Sequence, residues 1–323
     1  MKKYSIITSL IVFILASCDL EELHIEDSGQ YSKIFMQSAI SGSIEKNFII
    51  EDKWHGLSIG AGYGGVDQLD GDLSVTFEIR PDLVAEFNAA NGTRHAILPE
   101  ESYRFDVNTV TIPAGKSGSN SIEIEVNPFY FGGTRTFLLP VSIKEVNQDI
   151  TVNPELKTTY FVISGSYGEN PYEIHSQSKW SVVEVSSDVS DGAGGGLGLH
   201  AIDDNLDTYW HSNYRRDADG WRPQHPHHIV VDMDEELLLH GFRIHGRPAS
   251  NHAYLFPNIV SFQTSMDGEN WTDVGIFTGI VASADASATI YFEESVEARF
   301  FKLTVIRSAT GGDTTAITEI KCF

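Results

Sequence analysis

The sequence predicts an all-β protein built as two successive β-sandwich domains. Three observations carry the prediction. Apolar and polar residues alternate in short runs along most of the chain, a helical period appears over one patch only, and turn residues stand between the runs. The cluster Ser164-Gly-Ser-Tyr-Gly-Glu-Asn-Pro171 divides the runs into two sets.

Residues 1–17 read as a leader. Lys2 and Lys3 precede an apolar run from Ile6 to Ala16, which is shorter than the roughly 20 residues a membrane span needs. Leu15-Ala16-Ser17-Cys18 resembles the lipobox of bacterial lipoproteins, which implies that Cys18 is acylated and becomes the first mature residue. Acidic, aperiodic residues follow, so 18–30 is expected to be a solvated tether. Acidic residues just after that cysteine resemble surface-export signals of Bacteroidetes lipoproteins. The expected location is therefore the outer membrane, lipid-anchored and facing outward.

The 323-residue chain carries 22 Lys+Arg against 45 Asp+Glu, a formal net charge of −23. That balance excludes nucleic acid and anionic membrane surfaces as partners and suits neutral ligands and hard cations. With Cys18 lipidated, Cys322 has no intramolecular partner. Its place in Ile320-Lys321-Cys322-Phe323 predicts a small buried apolar residue.

The first domain is expected over 31–163. Val75–Ile79, Ser121–Val126 and Phe137–Ile143 alternate as strands, the last interrupted at Pro140. The helical patch runs from Pro81, past Leu83, Val84 and Phe87 on one face, to a stop at Asn91-Gly92. The order of Asp82–Asn88, Leu98-Pro99, Val110–Gly115 and Leu139–Val141 resembles the N-terminal immunoglobulin-like domain of unknown function in Bacteroidetes surface lipoproteins of glycan-utilisation loci. The resemblance implies a spacer or docking sandwich.

After the linker 164–171, the second domain is expected over 172–323. Its strands are predicted at Ile229–Asp232, Leu238–Arg247, Ile259–Ser265, Trp271–Ile276, Phe300–Arg307 and Ile317–Phe323, a sandwich or jelly-roll pattern. The most informative stretch is His200-Ala-Ile-Asp-Asp-Asn-Leu-Asp-Thr-Tyr-Trp-His211, a tight loop with side-chain oxygens at 203, 205, 207 and 208. Such loops suit calcium, which takes six to eight oxygens, and the EF-hand spacing is absent. With Ile229–Asp232, Ser265–Trp271, Ala298–Leu303 and Thr318-Glu319-Ile320, the loop resembles the factor V/VIII type C (discoidin) family. Galactose oxidase's first domain and the family 32 carbohydrate-binding modules belong to that family.

The resemblance implies a galactose-binding-like jelly roll and a structural calcium ion. Asp203 and Glu319 would hold the ion through carboxylates, His200, Asn205 and Thr318 through backbone oxygens, and Thr208 through its hydroxyl. The usual glycine is Asp204 here, where a positive φ is expected. The resemblance also places ligands at the end loops. Arg247 and Asn251 occupy positions comparable to the hydroxyl-contacting Arg and Asn, and Trp221 or Tyr254 could supply a stacking platform. Trp210 and Trp271 are expected in the core.

Eight of the twelve histidines lie between 200 and 252, but no His-Glu-x-x-His occurs, and adjacent His227 and His228 would face opposite ways on a strand. Gly192–Gly198 lacks the context of a phosphate loop and reads as flexible loop. The sequence thus points to a non-enzymatic protein that captures oligosaccharide or polysaccharide beside outer-membrane import partners. An adhesin or assembly component gripping a protein through the same loops is the alternative.

Overall fold

A computed structural model describes residues 28–192, 195–247 and 252–323. Cys18, the leader and Asn251 lie outside the described residues. The fold is almost entirely strands, and two separate apolar cores fill it.

In the first domain, strands run in the order Ile44–Ile49, Thr158–Ser166, Thr136–Val146, Leu73–Ile79 and Thr109–Ile112. Two three-stranded sheets face them, one built on Lys33–Met36 and one on Ile122–Val126. Alternation does the work: Ile122, Ile124 and Val126 are buried while Glu123 and Glu125 face water. Pro140 does not break its strand. Pairing with Leu73–Ile79 begins only at Val141, so no ladder bond is asked of the missing N–H. The helix covers Leu83–Asn91 and ends at Gly92, whose φ of 66° is the left-handed turn that favours glycine.

Two long antiparallel strands, His227–Gly246 and Ser287–Ser308, form the frame of the second domain. They differ from the sequence expectation, which broke the first into two pieces and omitted residues 287–299. The register shifts between Asp232 and Leu237, with Asp234 at φ 68°, so the polar stretch bends one strand rather than ending it. Ala316–Cys322 pairs along one edge and Pro257–Ser265 along the other, followed by Thr272–Phe277. Phe242 stacks on Phe262 with centroids 4.7 Å apart, and Phe262 on Phe301 at 5.4 Å. Trp210 and Cys322 are fully buried beside them.

Trp271 is not in that core; it is only half-buried. The segment before it is a turn wound around the Asp267 carboxylate, which accepts from the backbone N–H of Glu269 and Asn270, each at 2.8 Å. These bonds hold the Asp267 carboxyl well below the usual carboxylate range. Trp271 leads from this turn into the outermost strand, where one neighbour covers it instead of two. Gly195 and Gly196 are likewise not loop: they pair in parallel with Tyr209 and Trp210. A Cβ on Gly196 would lie 1.4 Å from the Val189 carbonyl oxygen, which explains the glycine.

Candidate functional site

Two clusters in the second domain gather the predicted residues. The first is the loop 203–208. Asp203 closes it as an Asx-turn, its carboxylate accepting from the Asn205 N–H at 3.1 Å and from Thr208 Oγ1 at 2.8 Å. Thr208 Oγ1 also lies 2.8 Å from the Asn205 carbonyl oxygen, and His200 Nδ1 lies 3.0 Å from Asp203 Oδ2. Asp204 takes φ 59°, the conformation for which glycine serves in the family pattern.

Glu319 reaches this loop from the strand Ala316–Cys322. It is 0% exposed, and neither carboxylate oxygen has a hydrogen-bond partner. Burial pushes its carboxyl up to about 7; Lys321 pulls it back, while Asp203 and Asp204 push it further up. A buried carboxylate without a hydrogen bond is costly, and the positive charge facing this one is Lys321, whose ammonium lies 3.8 Å from Oε1. Asp203 and Glu319, with the loop's backbone oxygens and Thr208, are oxygen donors of the type a hard cation takes. Thr318 turns its hydroxyl away, to the His245 carbonyl oxygen at 3.1 Å, which leaves only its backbone oxygen for such a role.

The second cluster lies at the far end of Tyr209–His211. Strand alternation puts Tyr209 and His211 on the face opposite Trp210, with Tyr209 half-buried and the other two buried. Arg247, one residue past the long strand, places its guanidinium carbon 3.9 Å above the Tyr209 ring. Among the described residues Arg247 donates no hydrogen bond. Asp191 ties the cluster together, accepting from Tyr214 Oη at 2.8 Å and Tyr209 Oη at 3.3 Å. His211 is buried against Tyr214 with ring centroids 4.9 Å apart, and its Nδ1 donates to the Ser212 carbonyl at 2.7 Å. Burial holds its pKa below that of a free imidazole.

Trp221 is 63% exposed and Tyr254 45% exposed. Trp221 sits on a loop closed by Asp217, whose Oδ1 accepts from the Trp221 N–H at 2.9 Å. Neither ring packs on Arg247 among the described residues. The partner that does is Tyr209, which the sequence reading placed within the calcium motif and assigned no ligand role. The signal that marks it is its odd position beside buried Trp210. His227 and His228 do face opposite ways: His227 is buried and bonds the Asp313 carbonyl, while His228 meets Glu184. Among the described residues no group of three or more His, Cys, Asp or Glu is arranged to hold a metal.

Parts of the chain match known families. Residues 182–320 match the family model of the F5/8 type C domain, and residues 30–150 match a model of an N-terminal domain. A galactose oxidase of Gibberella zeae is 32% identical over 127 residues, 38% of this chain. The chain spans only 17% of that enzyme's length. Among solved structures, the C-terminal domain of a chitobiase from Bacteroides fragilis is similar at 26% identity and TM-score 0.40, covering 47% of this chain and 97% of its own. A two-domain protein of unknown function from Bacteroides fragilis covers 91% of this chain and 95% of its own, at 14% identity and TM-score 0.39. A family 32 carbohydrate-binding module of Clostridium perfringens, solved with galactose, covers 46% and 96%, at 18% identity and TM-score 0.36.

Proposed function

Since residues 182–320 belong to the F5/8 type C domain family, we propose that this chain is a non-catalytic glycan-binding protein whose ligand sits at the Tyr209–Arg247 end of the sandwich. The observation that carries the reading is the cation–π pair itself. A guanidinium whose carbon lies 3.9 Å over the tyrosine ring is held at this end of the sandwich, and its forked donors are of the kind that match neighbouring hydroxyls on a sugar ring. Exposed Trp221 and Tyr254 supply apolar faces of the kind that C–H patches of sugars cover. Asn251 belongs to the same proposed contact set.

The loop 203–208 and Glu319 hold a structural calcium ion in this reading. The ion would neutralise the orphaned Glu319 carboxylate and join the loop to the last strand, and it takes no part in ligand chemistry. Lipid on Cys18 would tether the protein to the outer surface, where it passes glycans to import partners.

The test is a glycan array with the chain from residue 19 onward, followed by calorimetry on any hit. Arg247→Ala and Tyr209→Ala are each expected to weaken binding at least tenfold, about 1.4 kcal/mol, with melting temperature unchanged in Arg247→Ala. A broad array without a hit, together with specific capture of an outer-membrane protein, would replace glycan binding with protein adhesion. Release of products from any glycan would overturn the non-catalytic reading.

A further inference from the structure

Lys321 stands two residues beyond Glu319 on the same strand, so both side chains leave the same face. Its side chain is only 14% exposed, unusual for a lysine, and its ammonium is committed. It donates to Asp204 Oδ1 at 2.5 Å and to Gln177 Oε1. It also lies 3.8 Å from Glu319 Oε1, an ion-pair distance too long for a hydrogen bond. Gln177 is itself buried and donates to the Ile320 carbonyl at 2.7 Å.

The Asp204 side chain is 84% exposed, so one half of the pair stands in water, and two features of its setting give it a role. Asp204 occupies the left-handed position that the family fills with glycine, a residue that could not reach Lys321. The ammonium also stands 3.8 Å from Glu319, a buried carboxylate of the last strand that makes no hydrogen bond among the described residues.

We propose that Lys321 and Asp204 form an ionic latch which holds the 203–208 loop to the last strand without calcium, and that the same ammonium weakens calcium binding. The first half rests on the contacts above. The second rests on the proposed calcium site: a dication arriving at Glu319 meets a positive charge that the chain has already placed there, and like charges repel. Asp204 offsets part of that repulsion by drawing the ammonium toward itself. The loop is thereby kept in shape at low calcium, at the cost of affinity when calcium is plentiful.

Three variants of the chain from residue 19 onward test the latch. Lys321→Met keeps the apolar stem and removes the charge, Asp204→Gly restores the family residue, and Lys321→Arg keeps the charge. In EDTA, Lys321→Met and Asp204→Gly are expected to melt about 2–4 °C below wild type, with Lys321→Arg close to wild type. In calorimetric titration with calcium chloride, Lys321→Met is expected to bind about tenfold more tightly than wild type, and Asp204→Gly no more tightly. Wild-type melting of Lys321→Met and Asp204→Gly in EDTA would overturn the latch, and an unchanged calcium Kd in Lys321→Met would overturn the weakening. If no protein takes up calcium, the calcium reading and the weakening both fall, while the order of melting temperatures in EDTA still decides the latch.

Discussion

Arg222 grips Asp313 across two loops. Its Nε lies 3.0 Å from Oδ2, and its Nη2 lies 2.6 Å from Oδ1 and 2.8 Å from Oδ2. A further bond from Nη1 to the Tyr214 carbonyl oxygen, at 3.2 Å, fastens the base of the loop that presents Trp221. The planar fork matches the carboxylate in a way an ammonium cannot. Arg222→Lys is therefore expected to lose most of what Arg222→Ala loses. The pair is partly exposed, so the expected stability loss is small, about 1 kcal/mol or less. Binding of an array-identified glycan should fall in both variants if Trp221 meets the ligand. Thermal melting and calorimetry on the two variants check this, and full rescue by lysine would contradict it.

Removal of calcium is expected to lower the melting temperature of the chain. At a calcium concentration a hundredfold above Kd, binding contributes about 2.7 kcal/mol. Glu319→Gln should abolish the calcium response, because the amide keeps the shape and removes the charge that the ion neutralises. Differential scanning calorimetry in EDTA and in excess calcium reads both effects. Identical curves in EDTA and calcium for wild type would remove the ion from the account.

Acid should destabilise the second domain through its buried imidazoles. Burial lowers the pKa of His211, His225 and His227, and the Asp313 carbonyl, 2.9 Å from His227 Nε2, pushes back only in part. In the unfolded chain these groups take up protons near pH 6.5, while in the folded chain they stay neutral to lower pH. The unfolded state thus binds more protons just below 6.5, so stability is full above that pH and falls as the pH drops through it. Glu319, whose carboxyl burial pushes up to about 7, acts with the opposite sign in this window, so the decline is read in Glu319→Gln, from melting temperatures between pH 7.5 and 5. NMR titration should place the three histidines below the free value, and free-value titration of all three would refute the prediction.

Gly196→Ala is expected to be among the most damaging single changes in the chain. Its Cβ would meet the Val189 carbonyl oxygen at 1.4 Å, and its φ of 95° is one that side chains rarely adopt. The backbone would have to move away from Tyr209–His211, carrying the platform for Arg247 with it. Loss of soluble, cooperatively melting protein is the expected readout, in contrast to Gly71→Ala, where the added carbon meets nothing within 4 Å and the backbone is not left-handed.

Much of this was legible in the residues, and for identifiable reasons. Alternation at Ile122–Val126 and the Pro81–Gly92 helix signals are local, so they survive without knowledge of the neighbours. The sequence pattern names Asp203 and Glu319 together, and the fold adds that Glu319 is buried without a hydrogen bond. Tyr209 was not legible as a platform, since what stands over it is Arg247, from a strand that pairs elsewhere. Asp234 misled because a polar run looks the same whether it ends a strand or bends one. Trp271 misled because its motif encodes the Asp267 turn, not a core position.

The two long strands of the second domain also set an order of assembly. Their pairing is closest in sequence at His245 and Ser287 and widens to His227 and Val305, so the loop that costs least entropy to close is at the first pair. Zippering from there is expected to precede the pairing of Trp210 with Ile317, which spans a far larger loop. Glu319 and the 203–208 loop are therefore expected to meet late, on the native side of the rate-limiting barrier. An ion bound between them would leave the refolding rate almost untouched and slow unfolding instead. In stopped-flow experiments calcium should act on the unfolding limb alone, extending the lifetime of a protein that has already folded.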